Sequence, residues 1–168
     1  HDDTEKVYAQ IAAGKPMVVQ IAPSVRITLA ESLGYAPGTV TTGKIVHALR
    51  KIGFHKVFDS DFSADLTIME ESSEFLQRIK TGGPLPLITS CCPAWVKYCE
   101  TYAYEQLDHL STAKSPQQMF GAVIKTYFAQ KEGIDPAEIC SVSVMPCTAK
   151  KFACKRPEFS SSGYRDVD

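Results

Sequence analysis

Four short runs rich in aliphatic and β-branched residues punctuate this chain: MVVQIA (17–22), HKVFDS (55–60), PLPLITS (84–90) and ICSVSVM (139–145). Longer segments with helical apolar spacing separate them. In TTGKIVHALRKIG, Ile45, Leu49 and Ile52 recur at helical intervals and Gly53 is a natural stop signal. SSEFLQRIKTGG and SPQQMFGAVIKTYFAQKEG also end in glycine. Strands alternating with helices build βαβ units, because parallel strands need a long crossover and the crossover helix covers a sheet face. The expectation is an α/β fold: a mainly parallel sheet of about four strands flanked by helices. No repeat, low-complexity tract or interdomain linker interrupts the pattern.

Three of the runs end alike. QIAPSVR, TSCCPAWV and VMPCTAKK each pass from an extended stretch through a proline into a helical or loop segment. Proline suits the first turn of a helix, where its missing N–H would have had no intrahelical partner. Pro23, Pro93 and Pro116 can each take that place, the last after Ser115 as N-cap. In a parallel sheet these joints fall on the carboxyl edge, where open α/β sheets bind ligands and helix N-termini favour anions. A nucleotide is the ordinary candidate, but no joint carries a G-x-G-x-x-G or Walker-type glycine loop.

The cysteines point elsewhere. Six of them permit three disulfides, yet a chain of 168 residues with 44% hydrophobic content has core enough without such staples. HDDTEKVYAQ is no secretory signal and no apolar run is long enough to span a bilayer, so reduced thiols in a cytoplasmic protein are expected. A net charge of −1 gives no reason to expect nucleic acid. Cys91 and Cys92 are adjacent, and neighbours reach disulfide geometry poorly. With Cys147 they come from two strand ends that should converge on one edge. The absence of any CxxC run disfavours a local zinc or ferredoxin-like site but allows a metal centre assembled from distant loops. Cys99 and Cys140 fit the commoner role of small buried hydrophobes.

TSCCPAW and MPCTAKK resemble the first two signature motifs of the [FeFe]-hydrogenases. The likeness continues through QIAPSVR, ADLTIMEESSEFLQRI, LSTAKSPQQMFG and the closing RPEF and YRDVD. It implies one lobe of a two-lobed domain that holds the H-cluster. That cluster is a [4Fe–4S] cubane joined through a cysteine sulfur to a two-iron unit bearing CO, cyanide and azadithiolate ligands, and it interconverts H2 with protons and electrons. By position, Cys92 and Cys147 match cubane ligands, and Cys91 matches the free thiol that hands protons to the bridgehead amine. Lys150 matches the lysine serving one cyanide. Ala22, Pro23 and Ser24 match the loop serving the other, through the Ser24 N–H and hydroxyl. Ser115, Gln117 and Met145 would line the same cavity.

Glu71, Glu74 and Arg78 lie one above another on a helix, and spacing alone reads as a solvated stripe with a weak ion pair. The resemblance makes Glu71, Ser111 and Glu74 a proton relay leading outward from Cys91, with Arg78 near its outlet. Such carboxylates would need raised pKa values, which partial burial could provide. Two departures stand out. Ala153 occupies the position of a motif glutamate, and the third signature motif, with the other two cubane cysteines, is missing. The expectation is therefore that residues 1–168 form the first lobe, with the second lobe and ferredoxin-like electron carriers as partners. A non-catalytic or sensory hydrogenase-like iron–sulfur protein is the alternative, and a plain α/β binding module with incidental cysteines is the remaining one.

Overall fold

The computed structural model describes residues 2–168. In chain order its elements are α1 (Thr4–Ala12), β1 (Met17–Ile21), α2 (Val25–Ser32), α3 (Thr42–Ile52), β2 (Lys56–Asp59), α4 (Asp61–Thr81), α5 (Pro93–Tyr102), α6 (Pro116–Val123), α7 (Ala129–Glu132), β3 (Cys140–Val144) and α8 (Ala149–Ala153). A single π-helical turn, 124–128, joins α6 to α7. Gly82 and Gly133 end α4 and α7 in the left-handed conformation that glycine adopts without a Cβ penalty.

The α/β expectation holds. Three strands form one parallel sheet in the order β2-β1-β3. Every residue of β1 is buried, as a central strand covered on both faces requires. Alternation sends Met17 and Val19 to one face, where they pack with Phe54, Cys140, Val7 and Ile11 of α1, and Leu49 of α3. Val18 points the other way, into Phe120, Ile124, Ala129 and Ile139. Phe58 of β2 meets the rings of Phe120 and Phe128 edge-on at 5.5 and 5.6 Å. Each such contact contributes about 0.5–1.5 kcal/mol beyond the area it buries.

The run 84–90 differs from expectation. Pro84 and Pro86 have no N–H to give a ladder, and only Ile88 pairs, in an isolated parallel bridge with Leu110. Ile88 N–H donates to His109 O at 2.8 Å, and Ser111 N–H donates to Ile88 O at 2.7 Å. The stretch leading to Cys91 is thus anchored on 109–111, outside the sheet.

After β3 the chain returns. Asp168 N–H donates to Ser141 O, and Ser141 N–H donates to the Asp168 carboxylate, both at 2.8 Å. The buried Lys125 ammonium meets the same carboxylate at 3.0 Å. The segment comes so close to α6 that a Cβ on Gly121 would lie 2.4 Å from Asp166 O.

Candidate functional site

In the order β2-β1-β3 the chain leaves β1 towards β2, while β3 lies on its other side. The crevice at the carboxyl ends of β1 and β3 is a topological switch point, the ordinary ligand site of open parallel sheets. Ala22 N–H donates to Val144 O at 3.1 Å, so the two strand ends are joined up to the crevice.

Pro93 and Pro116 take the first helical positions expected of them. Pro23 does not: α2 begins at Val25, and Pro23 lies in the turn before it. Val25 N–H closes that turn on Ala22 O at 3.1 Å, which puts Pro23 and Ser24 at its two central positions. Both are exposed, and the Ser24 hydroxyl caps nothing. Cys92 is the N-cap of α5, its Sγ accepting from Trp95 N–H at 3.4 Å. Ser115 caps α6 in the same way, its buried Oγ accepting from Gln118 N–H at 3.4 Å.

Lys150 shows what these joints bring together. Its Nζ donates to Cys91 O at 2.8 Å across the crevice. Burial pulls its ammonium below the ordinary lysine value, and the sulfurs of Cys91, Cys147, Cys92 and Cys154 all act against that fall. Cys91, Cys92 and Cys147 are free and exposed. Met145 is half-buried in the joint between β3 and α8.

Cys154 was not anticipated in this company. It is half-buried, and its sulfur accepts from Gln118 Nε2 at 3.3 Å and Gln117 Nε2 at 3.5 Å. Burial raises its thiol. The signal was present in its spacing, since Cys154 follows Lys150 by four residues and Cys147 by seven. Gln117 is 2% exposed, donates to Ser143 Oγ at 2.6 Å and receives Gln20 Nε2 on its carbonyl at 3.0 Å. The buried carboxamide oxygens of Gln20 and Gln118 have no partner among the described residues. This polar tier meets the Cys154 sulfur, and Ala153, next to Cys154 in sequence, is buried.

The expected relay is continuous over its outer half. Ser111 Oγ donates to Glu74 Oε2 at 3.2 Å. That oxygen also accepts from Thr112 N–H at 3.0 Å and Thr112 Oγ1 at 3.1 Å. Arg78 holds Oε1 at 2.6 Å. No hydrogen bond joins Glu71 to Ser111, and Glu71 Oε1 is buried without a partner among the described residues. Two expectations need correction. Burial does push the Glu74 carboxyl up, but the Thr112 N–H and hydroxyl and the Arg78 guanidinium outweigh it, and the net shift is downward. The spacing's reading of Arg78 as part of a solvated stripe is the second: bonded to Glu74, it is itself only 9% exposed, donating to the carbonyls of Pro84, Asp108, His109 and Leu110. The opening lies at Glu74, in a cleft of about 540 Å³ that Glu70, Gln77, Thr112 and Lys114 also line.

The donor set suits an iron–sulfur group in part. Soft thiols from Cys92 and Cys147 share an edge with an ammonium, and a helix N–H is aimed at the Cys92 sulfur. Among the described residues, however, no group of three or more cysteine, histidine or carboxylate side chains is arranged to hold a metal ion.

Comparison with known proteins extends the geometry. Residues 15–168 match the family described as iron only hydrogenase large subunit, C-terminal domain. The chain is 56% identical over 170 residues to the NADP-reducing hydrogenase subunit HndD of Solidesulfovibrio fructosivorans, covering 98% of this chain and 29% of that protein. It is also 36% identical over 180 residues to the cytosolic iron-sulfur assembly component 3 of Bos taurus, covering all of this chain and 38% of that one. A solved structure concerned with stepwise [FeFe]-hydrogenase H-cluster assembly, HydA(deltaEFG), superposes with a TM-score of 0.94 at 41% identity, covering 100% of this chain and 44% of that one. The chain therefore spans well under half the length of these relatives.

Proposed function

Because the chain belongs to the iron-only hydrogenase large-subunit family, in its C-terminal domain, we propose that it forms the first lobe of an H-cluster domain interconverting H2 with protons and electrons. The observation that carries this reading is the bond from Lys150 Nζ to Cys91 O at 2.8 Å, which ties the loop bearing Cys91 and Cys92 to the helix that follows Cys147 at the end of β3. Cys92 and Cys147 would hold the [4Fe–4S] cubane, with further thiolates from the remainder of the domain. Lys150, Ser115, Gln117, Met145 and the Ala22–Ser24 turn would surround the two-iron unit with its CO, cyanide and azadithiolate ligands. When bound, that cluster supplies the reversible redox chemistry of protons and H2. Electrons would reach it through ferredoxin-like domains or subunits. Among the described residues no helix is long and apolar enough to cross a membrane. The six free thiols suit a reducing compartment, and the cytoplasm is the proposed location.

This chain's own residues move and hold protons. Cys91 is a free, exposed thiol that in this reading would hold no metal, so it can give or take a proton at the crevice. Glu71 follows, with a buried oxygen still open to a donor. Ser111 passes the proton to Glu74 by rotating its hydroxyl, receiving on one side while donating on the other. Glu74 stays a carboxylate between transfers, because its bonds from Thr112 and Arg78 favour the charged form. The cleft beside Glu74 then opens the route to water.

The test separates the two adjacent thiols in the complete enzyme. Cys91→Ala should keep the infrared bands of bound CO and cyanide while turnover falls about 10²–10⁴-fold, the usual contribution of a positioned proton donor. Cys92→Ala should lower iron content and the bands together. Equal loss of bands in both variants would overturn the assignment. The assembly-component relative supports a second, non-catalytic reading, for which Ala153 in place of the motif glutamate is the specific observation. Under that reading Cys91→Ala leaves function untouched.

A further inference from the structure

The QIAPSVR stretch contains one more residue with a defined task. Arg26, in the first turn of α2, reaches backwards: its Nε donates to Pro23 O at 2.9 Å. Its Nη2 donates to the two oxygens of Asp59 at 3.1 and 2.9 Å and to Asp61 Oδ2 at 3.1 Å. Asp59 ends β2 and Asp61 begins α4. Between them, Ser60 donates to Ile21 O through its hydroxyl at 2.7 Å and its N–H at 3.2 Å. Thr41 holds the Arg26 carbonyl through its N–H at 2.9 Å and its hydroxyl at 2.8 Å. The end of β1 and the turn after it are thus tied to one β2–α4 joint.

The orphan in this arrangement is the central peptide of the turn. The bond closing the turn uses Ala22 O and Val25 N–H and leaves Pro23 C=O and Ser24 N–H uncommitted within it. These two groups belong to one planar trans peptide, so they point in opposite directions. Fixing Pro23 O on one side aims Ser24 N–H to the other. Among the described residues Ser24 N–H has no acceptor. A cationic donor on the carbonyl also polarises the amide and strengthens its N–H as a donor. An ordinary surface ion pair does none of this, and the Arg26 side chain is only 24% exposed.

We infer that Arg26 is a positioning residue: through Pro23 O it aims and strengthens the Ser24 N–H towards an anionic ligand atom at the switch point, with Asp59 and Asp61 holding the guanidinium in place. The inference rests on the proposed role of the Pro23–Ser24 turn in holding one cyanide of the two-iron unit.

Infrared spectra of the assembled enzyme and hydrogen exchange of the cluster-free protein test it together. Arg26→Gln should shift one cyanide band, leave the other in place and retain full iron content. The Val25 amide, which closes the turn, should exchange about tenfold faster, equivalent to about 1.4 kcal/mol. Asp59→Asn, which keeps the Asp61 contact, should shift the same band by less, and it serves if Arg26→Gln folds poorly. Ser24→Ala removes the neighbouring hydroxyl and should move that band as well. If Ser24→Ala moves a cyanide band while Arg26→Gln and Asp59→Asn move neither band nor exchange rate, the positioning role of Arg26 is wrong. If Ser24→Ala moves no cyanide band, the reading of the turn itself falls, and this inference with it.

Discussion

Glu74 illustrates how burial and hydrogen bonding compete at one carboxyl group. Desolvation alone would raise it, yet Thr112 and Arg78 win and hold it below the ordinary value. The sign of the pH dependence follows. Stability from the ionised group is fully present above the unfolded carboxyl value of 4.5 and is lost as pH falls through the lower folded value. Glu74→Gln should therefore cost about 1–3 kcal/mol at neutral pH, since it removes a charge-assisted bond while Arg78 keeps its four carbonyl partners. Urea denaturation from neutrality down into acid should show that deficit shrinking below pH 4.5. A deficit that stays constant would mean the charge is not what the site uses. Five of the six thiols separate just as clearly, with Cys154 half-buried between the groups. Burial pushes Cys140 up to about 11, with the Asp168 carboxylate adding to the effect, and burial also raises Cys99. Brief alkylation of the cluster-free chain followed by mass mapping should label Cys91, Cys92 and Cys147 and spare Cys99 and Cys140.

Among the elements, α4 does more than cover the sheet. Through Arg78 it grips four carbonyls on two loops, one of which runs on to Cys91. Arg78→Ala removes those donors from four carbonyls and takes the guanidinium from Glu74, so it should cost about 3–5 kcal/mol and make the 84–92 loop a preferred site of limited proteolysis. Lysine cannot restore it, because one ammonium does not present a planar fork of donors. On α6, Gly121→Ala drives a methyl into Asp166 O and should cost about 1–3 kcal/mol in denaturant melts. The strands β1, β2 and β3 and the helix ends at Gly82 and Gly133 were legible, because β-branched apolar runs and stop signals are local properties of the sequence. The run 84–90 misled for the opposite reason: its composition suits a strand, but its prolines remove donors and its one partner, Leu110, is a non-local choice. Arg78 was misjudged because a charged residue on a helical stripe looks solvent-facing until the carbonyls it meets are known. Whether the thiols shared an edge depended on sheet order, which strand patterns do not encode. Cys154 was overlooked because the signature motifs give it no role.

Taken whole, the chain has faces that water does not suit. Ile68, Met69, Phe75, Leu76 and Ile79 of α4 are each 44–66% exposed. On α5, Trp95 stacks on Tyr98 at 5.9 Å and Tyr98 meets Tyr102 at a tilt at 5.5 Å, and Tyr102 is 76% exposed. Contiguous apolar surface of this kind marks an interface. The isolated 168-residue chain should bind a hydrophobic dye and self-associate with concentration in sedimentation velocity. Leu76→Ser with Ile79→Ser should weaken both without lowering the melting temperature, since neither side chain is in the core. Unchanged association in that double variant would exclude α4 as the contact.

The sheet itself takes no part in such association. Ser141 sits on the outer strand, and its N–H and C=O are both taken by Asp168. The opposite border, β2, is only four residues long and opens with Lys56, whose ammonium lies 3.7 Å from Glu132. Short borders, charged borders and occupied borders are how natural sheets refuse an incoming strand. Aggregates of this protein should accordingly be amorphous and reversible on dilution, silent to amyloid-specific dyes, because there is little open ladder on which a fibril could grow.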